Sequence, residues 1–475
     1  MNDLVIEDVA VEGRPGLSVW TGDGGVKEVG PWEVTARRAP PGATRIAGRG
    51  AALLPGLHDH HIHLFALAAR KVSVWCGPPE VTGAGDLMER LRTASSNDPG
   101  TGWIRAVGWD DTSAGMPDRF DLDAAVGDRP VRLQHRSGVM WVLNGAGLDR
   151  AGLSGARGGL PAGVELGVDG TPTGRVVGLD RWLGERLGSR LVSLGEVSEQ
   201  LASRGVTGVT DATAHNAQRE ITALATARGS GELHQNLTVM TASPRANFPR
   251  GVLPGSVKIV VDDAALPAIE DLSARIVSAH ERHRVVAVHA VTRVGLVLAL
   301  EALRTAGTVA GDRIEHASVA PQELIGPMAE LGVTVVTQPQ FILENGDRYL
   351  ATVSAVDLPW MYRGRGLLAA GVPLAAGSDA PVGGYDPWRA MQSAVRRETS
   401  KGIPMTPEES VTPEQALALF TGHPHEPGGP PRRVLPGAPA DLCLLDRSWA
   451  SAREALAEVR VRATVIGGRV AFLEP

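Results

Sequence analysis

Cysteine is nearly absent from this chain: Cys76 and Cys443 are the only two among 475 residues. Two thiols build no disulfide framework, and reduced thiols in a cytoplasmic protein are the expectation. Lysine is almost as scarce, with Lys27, Lys71, Lys258 and Lys401 accounting for four of the 47 basic residues. A formal net charge of −6 leaves no basic footprint, which argues against nucleic acid as a partner. No stretch approaches the roughly 18 consecutive apolar residues of a membrane span. The start, Met1-Asn2-Asp3-Leu4-Val5-Ile6-Glu7, lacks the basic and apolar regions of a secretory leader, so no membrane association is expected. Glycine and proline, at 58 and 33 residues, stay below the roughly 25–30% that signals disorder. Apolar residues make up 43% of the chain, ample for a large core.

What is present is a concentration of histidine. Four of the 13 histidines, with an aspartate, fall in Pro55-Gly56-Leu57-His58-Asp59-His60-His61-Ile62-His63-Leu64. The preceding Ala51-Ala52-Leu53-Leu54 reads as the approach to a buried strand, with Pro55-Gly56 as a turn. Alternate residues of a strand share a face, so His61 and His63 can grip one divalent cation. His58 and His60 have the same spacing, and periodicity does not choose between the pairs.

Further polar residues follow at the ends of apolar runs. Lys258 interrupts Ser256-Val257-Lys258-Ile259-Val260-Val261, where burial would lower its pKa and favour the neutral amine. Such an amine can take up carbon dioxide as a carbamate, an anionic ligand able to bridge two metals. His289 ends Val285-Val286-Ala287-Val288, and His316 ends Arg313-Ile314-Glu315. Asp379 follows Gly371-Val372-Pro373-Leu374-Ala375-Ala376-Gly377-Ser378. Helical patterns lie between these runs. In a (β/α)8 barrel the strand ends converge on one face, where active sites are built.

Asp59-x-His61-x-His63, Lys258, His289, His316 and Ser378-Asp379 resemble, in order and placement, the metal ligands of the amidohydrolase superfamily. Gly102 to Asp110, Asp169 to Gly174, Arg204 to Asp211, Asp312 to Ala317, Gln338-Pro339 and Ala438 to Leu442 resemble the branch that includes N-substituted formamide deformylase. The resemblance spans nearly the whole chain and selects His61 and His63 over His58 and His60. Three departures from the branch stand out: Gly138-Val139 where relatives carry Gly-His, Asp262-Asp263 where relatives carry Asp-Gly, and a Pro/Gly-rich stretch, Gly422 to Pro431, read here as an exposed linker.

The resemblance implies an α/β fold, a TIM-like (β/α)8 barrel with a β-sandwich built from both termini and a large insertion after the first barrel strand. Residues 1–54 and 404–475 would form the sandwich, the barrel-end helix and the linker, and 55–403 the barrel. The insertion, 64–205, carries five of the ten tryptophans: Trp75, Trp103, Trp109, Trp141 and Trp182. The ligands would be His61, His63, Lys258, His289, His316 and Asp379, around two zinc ions bridged by carboxylated Lys258. Asp379 would be the catalytic proton carrier in hydrolysis of an amide-type C–N bond by a metal-activated hydroxide. Deamination, isomerisation and a non-catalytic binding role are the alternatives. Trp109, Asp110, His135 and Arg136 are the expected substrate contacts, from an insertion closing over the metal face. The expected partners are a small-molecule substrate and a second copy of the chain in a possible homodimer.

Overall fold

The strands Thr44–Pro55 and Leu57–Ile62 are separated by Gly56 alone. Pro55-Gly56 is therefore not the turn its composition suggests. The chain passes from one sheet into another with no turn or bend at Gly56, and glycine is required there by close approach: a Cβ would sit 2.1 Å from the Thr207 methyl carbon. The structure, a computed structural model, describes residues 3–474 apart from 99, 155–158, 188–190 and 264. It comprises two compact units, Met1–Leu64 with Ser193–Pro475, and Phe65–Val192.

In the first unit, eight strands form one parallel sheet: β1 (Leu57–Ile62), β2 (Val206–Asp211), β3 (Asn236–Thr241), β4 (Val252–Val260), β5 (Val286–Ala290), β6 (Arg313–His316), β7 (Thr334–Thr337) and β8 (Leu374–Ala376). Each strand pairs with its successor. The ends of the sheet meet: the Asp379 amide donates to the His61 carbonyl at 2.7 Å, and the His63 amide donates to the Ala380 carbonyl at 2.9 Å. Sequential parallel order and contact between first and last strands make a TIM-like barrel. Helices such as Ile269–His280, Arg293–Ala306 and Gln322–Leu331 supply the crossovers. The strands are rich in β-branched residues because both of their faces are covered. Val209, Val239, Ile259, Val288, Ile314 and Val335 are fully buried.

Both chain ends contribute to a seven-stranded mixed sheet in the same unit. Its order is Arg469–Leu473, Val461–Ile466, Leu442–Leu445, Thr44–Pro55, Leu4–Val11, Arg14–Gly22 and Gly25–Pro31. The last two strands form a hairpin around Asp23-Gly24, both at positive φ (52° and 78°), the geometry whose twist suits a two-residue hairpin turn. In the Gly422–Pro431 stretch, His423 and His425 are exposed, whereas Gly422 and Pro427 are buried.

The Phe65–Val192 unit has its own six-stranded sheet, in which Val74–Trp75, Ile104–Trp109 and Val131–His135 run parallel. Met140–Leu143, Pro172–Val177 and Val164–Leu166 extend it antiparallel. Leu87, Leu91, Trp109, Leu122 and Leu133 form one core in it, and Trp141, Leu143, Leu148 and Leu183 another. No helix among the described residues is long and apolar enough to cross a membrane.

Candidate metal centre

All six residues of β1 are buried, and His63 follows it directly. Asp59 fixes this strand end to the last one, its Oδ1 accepting from the amides of His61 (3.1 Å) and Ser378 (2.9 Å). Gly377 makes the approach possible: a Cβ there would fall 2.4 Å from the His61 amide nitrogen. Asp379 then takes a left-handed backbone (φ 52°), as does His316 (φ 72°) at the end of β6. Non-glycine residues in that region are strained, and such strain clusters at functional sites.

These strand ends converge on one buried group. Asp379 Oδ1 lies 3.1 Å from His63 Nε2 and 3.5 Å from His61 Nε2. Candidate ligand atoms of His61, His63 and Asp379 all lie within 4.8 Å of one another. Lys258 Nζ, projecting from β4, is 3.5 Å from His61 Nε2. The His316 ring centroid is 4.8 Å from that of His61, and His316 Nε2 is 2.9 Å from His289 Nδ1. The structure thus gathers His61, His63, Lys258, His289, His316 and Asp379 in one cluster.

Burial sets the protonation states. It lowers His61 and His316 to about 4 and His289 to about 2, so these imidazoles are neutral at pH 7. It brings the Lys258 ammonium down to about 8, against the opposing pull of Glu315. For Asp379, burial resists ionisation, but the His63 hydrogen bond and the surrounding imidazoles prevail and hold the carboxyl well below its usual range. Neutral imidazoles, one carboxylate and an amine of lowered pKa suit a divalent cation such as zinc. The donor set fits the group.

Three supporting side chains escaped the sequence reading as site residues. Glu315, fully buried in β6, is kept ionised by Arg313, Lys258 and His61 despite its burial, and it contacts His61 Nδ1. An ionised carboxylate only accepts, so His61 Nδ1 carries the proton and Nε2 is left for a metal. Gln338 Oε1 does the same for His316 Nδ1 at 2.7 Å. Thr213 Oγ1 is 2.8 Å from His63 Nδ1. The signal for Glu315 was its alternation with Arg313 beside His316. For Gln338 and Thr213 no comparable local pattern exists.

His58 and His60 are buried too, outside this cluster. His58 Nε2 is 2.9 Å from Thr210 Oγ1, and the His60 ring packs against that of His58 at a 40° tilt with centroids 4.5 Å apart. Trp109, Asp110, His135 and Arg136 lie together in the Phe65–Val192 unit. Trp109 is fully buried and its indole donates to the Gly115 carbonyl at 2.9 Å. His135 packs edge-on against it, with ring centroids 4.9 Å apart, and reaches Asp111 Oδ1 at 3.1 Å. Arg136 Nε lies 2.9 Å from Asp110 Oδ2, and Asp110 also caps the short helix Asp111–Ala114.

A family profile described as "Amidohydrolase family" matches residues 46–472. N-substituted formamide deformylase of Arthrobacter pascens is 28% identical, over 90% of each chain. An uncharacterized metal-dependent hydrolase from Pyrococcus furiosus superposes with a TM-score of 0.72 at 23% identity, covering 94% of this chain and 99% of its own. Another from Pyrococcus horikoshii OT3 gives 0.74 at 20% identity, covering 94% and 98%.

Proposed function

Because the chain belongs to the amidohydrolase family, we propose that it hydrolyses an amide-type C–N bond of a small molecule. It is a hydrolase of carbon–nitrogen bonds other than peptide bonds. The observation that carries the proposal is the convergence of His61, His63 and Asp379 with Lys258, His289 and His316 at the ends of parallel strands.

In this reading His61 and His63 would hold one divalent metal and His289 and His316 a second, both zinc, and Lys258 as its carbamate would serve both. The lowered pKa of Lys258 supports that assignment, since the neutral amine is the form that takes up carbon dioxide. When bound, such metals acidify water and polarise a carbonyl oxygen. Glu315 and Gln338 orient the His61 and His316 rings so that Nε2 of each stays available. Asp379 takes the proton of the attacking water and passes it to the leaving nitrogen. The carbonyl carbon gains the oxygen, the C–N bond breaks, and the acid gives up the second proton of the water, leaving a carboxylate and a protonated amine at pH 7.

Trp109, Asp110, His135 and Arg136 are assigned to substrate selection. Their grouping, with three polar side chains at the ends of neighbouring strands, supports this. The terminal sheet we read as the β-sandwich of residues 1–54 and 404–475, with a barrel of 55–403 and an insertion of 64–205. A small-molecule substrate, a cytoplasmic location and a homodimer complete the reading; the two buried free thiols, Cys76 and Cys443, support a reducing compartment.

The test is a product assay on zinc-loaded protein with a panel of N-substituted formamides, other small amides and amino-heterocycles. Equimolar acid and amine is the expected result. Ammonia from amino-heterocycles alone, or an isomer of the substrate without hydrolysis, would replace this proposal with deamination or isomerisation.

A further inference from the structure

At the opposite end of the barrel from the metal cluster, where the chain enters β1, a cavity of about 730 Å³ opens within the Met1–Leu64 and Ser193–Pro475 unit. Its size falls in the range of small-molecule sites, roughly 300–1,000 Å³. It shares no residue with the metal cluster. Leu54, Leu417, Val434 and Trp449 give it an apolar wall. Its charged lining is Glu12, Arg432, Arg433 and Arg453.

The three arginines are not equivalent. Arg433 is paired in a two-pronged contact with Glu12. Arg453 Nη1 is 2.9 Å from Glu414 Oε1, which also accepts from the Trp449 indole at 3.1 Å. Arg432 instead donates to carbonyl oxygens: its Nε to Thr421 and Gly422, each at 3.2 Å, and its Nη2 to Gly56. Among the described residues no carboxylate lies within salt-bridge distance of it. Asp441, which acts on it electrostatically, is itself bonded to the Asn236 side chain and the Gly467 amide at 2.8 Å each. A part-buried guanidinium fixed by carbonyls, with its charge uncompensated at contact, is arranged for an anion.

We propose that this cavity binds an amphipathic small-molecule carboxylate, its anionic head on Arg432 and its apolar body along Leu54, Leu417, Val434 and Trp449. One guanidinium with no carboxylate at contact calls for one negative charge, and the apolar wall calls for a hydrocarbon tail rather than a compact inorganic anion. The planar fork of the guanidinium matches a carboxylate.

Titration calorimetry of the zinc-loaded full chain with octanoate tests this, with octanol and octylamine as neutral and cationic counterparts. Saturable one-to-one binding of octanoate is expected, with the other two weaker by about tenfold or more. Arg432→Met should weaken octanoate by a similar factor. Because Arg432 also ties Thr421 to Gly56, that variant can fail to fold, so Ala450→Trp, which leaves Arg432 in place and narrows the cavity from its exposed side, is the parallel test and should weaken binding. Absence of saturable binding, equal binding of octanol, or octanoate binding unchanged by Ala450→Trp would each overturn the proposal.

Discussion

The Glu315 carboxylate accepts the Nδ1 proton of His61, while Nε2 of the same ring faces Asp379 Oδ1 and Lys258 Nζ, each 3.5 Å away. A carboxylate behind a metal-binding imidazole fixes its tautomer and raises its basicity. Glu315→Gln keeps the shape but can present a donor to Nδ1, which would turn the ring into the wrong tautomer. Metal affinity of that variant, measured by chelator competition, should fall by about 10- to 100-fold. Unchanged affinity would reduce Glu315 to a buried partner of Arg313.

Metal removal should abolish turnover, and divalent zinc should restore it. The proposed hydrolysis relies on a metal held by His61, His63 and Asp379 to acidify the attacking water, so removing it removes the nucleophile. Metal analysis beside an activity assay checks this. Full turnover by demonstrably metal-free protein would end the hydrolytic reading.

Lys258→Ala should lose both metal and activity, with partial recovery on addition of a small carboxylate such as acetate or propionate. Lys258 is 3% exposed, so its removal leaves a space that such an anion can enter. Labelled bicarbonate should mark the native protein at Lys258 and leave the variant unmarked. A native Lys258 that takes up no label while the protein is metal-loaded and active would remove the carbamate.

Asp379→Asn separates proton transfer from metal retention. The amide preserves size and one oxygen but cannot take a proton, so much of the metal should remain while kcat falls by about 10²- to 10⁴-fold. Near-native kcat with metal bound would assign the proton to another group.

The ordered series from His61 to Asp379 was readable because each polar residue ends an apolar run, and parallel strands bring such ends together. The choice between His61/His63 and His58/His60 was not readable from spacing. Both pairs alternate alike on one strand, and only the closure of β8 against β1 sets Asp379 beside His61 and His63. Glu315 looked like a neighbour of His316 because nothing local reveals that its partner lies 254 residues earlier in the chain. Pro55-Gly56 misled for a related reason: the glycine serves a close contact with Thr207, not a bend. The tryptophans of the insertion could be core or cleft by composition, and the structure buries Trp109 and Trp141 in packed clusters.

That burial sharpens the prediction for substrate selection. Trp109→Ala would open a cavity in its own core and should cost about 3–5 kcal/mol of stability, whatever else it does. Selectivity is therefore better sought in the three polar neighbours. Arg136 is held near Asp110 by an ion pair, and His135 sits between Asp111 and the Ser137 hydroxyl, polar contacts that a substrate group could replace. Arg136→Met should change the ratio of kcat/KM between acid-bearing and neutral amides by about tenfold, the scale of one charge-assisted hydrogen bond. Metal content and melting temperature should stay close to those of the unaltered protein. His135→Asn should shift preference among substrates less, because it keeps a polar group where the imidazole stood. If both variants lower kcat/KM equally for every substrate, or leave the ratio unchanged, these residues serve the packing of the Phe65–Val192 unit and selectivity belongs to other residues.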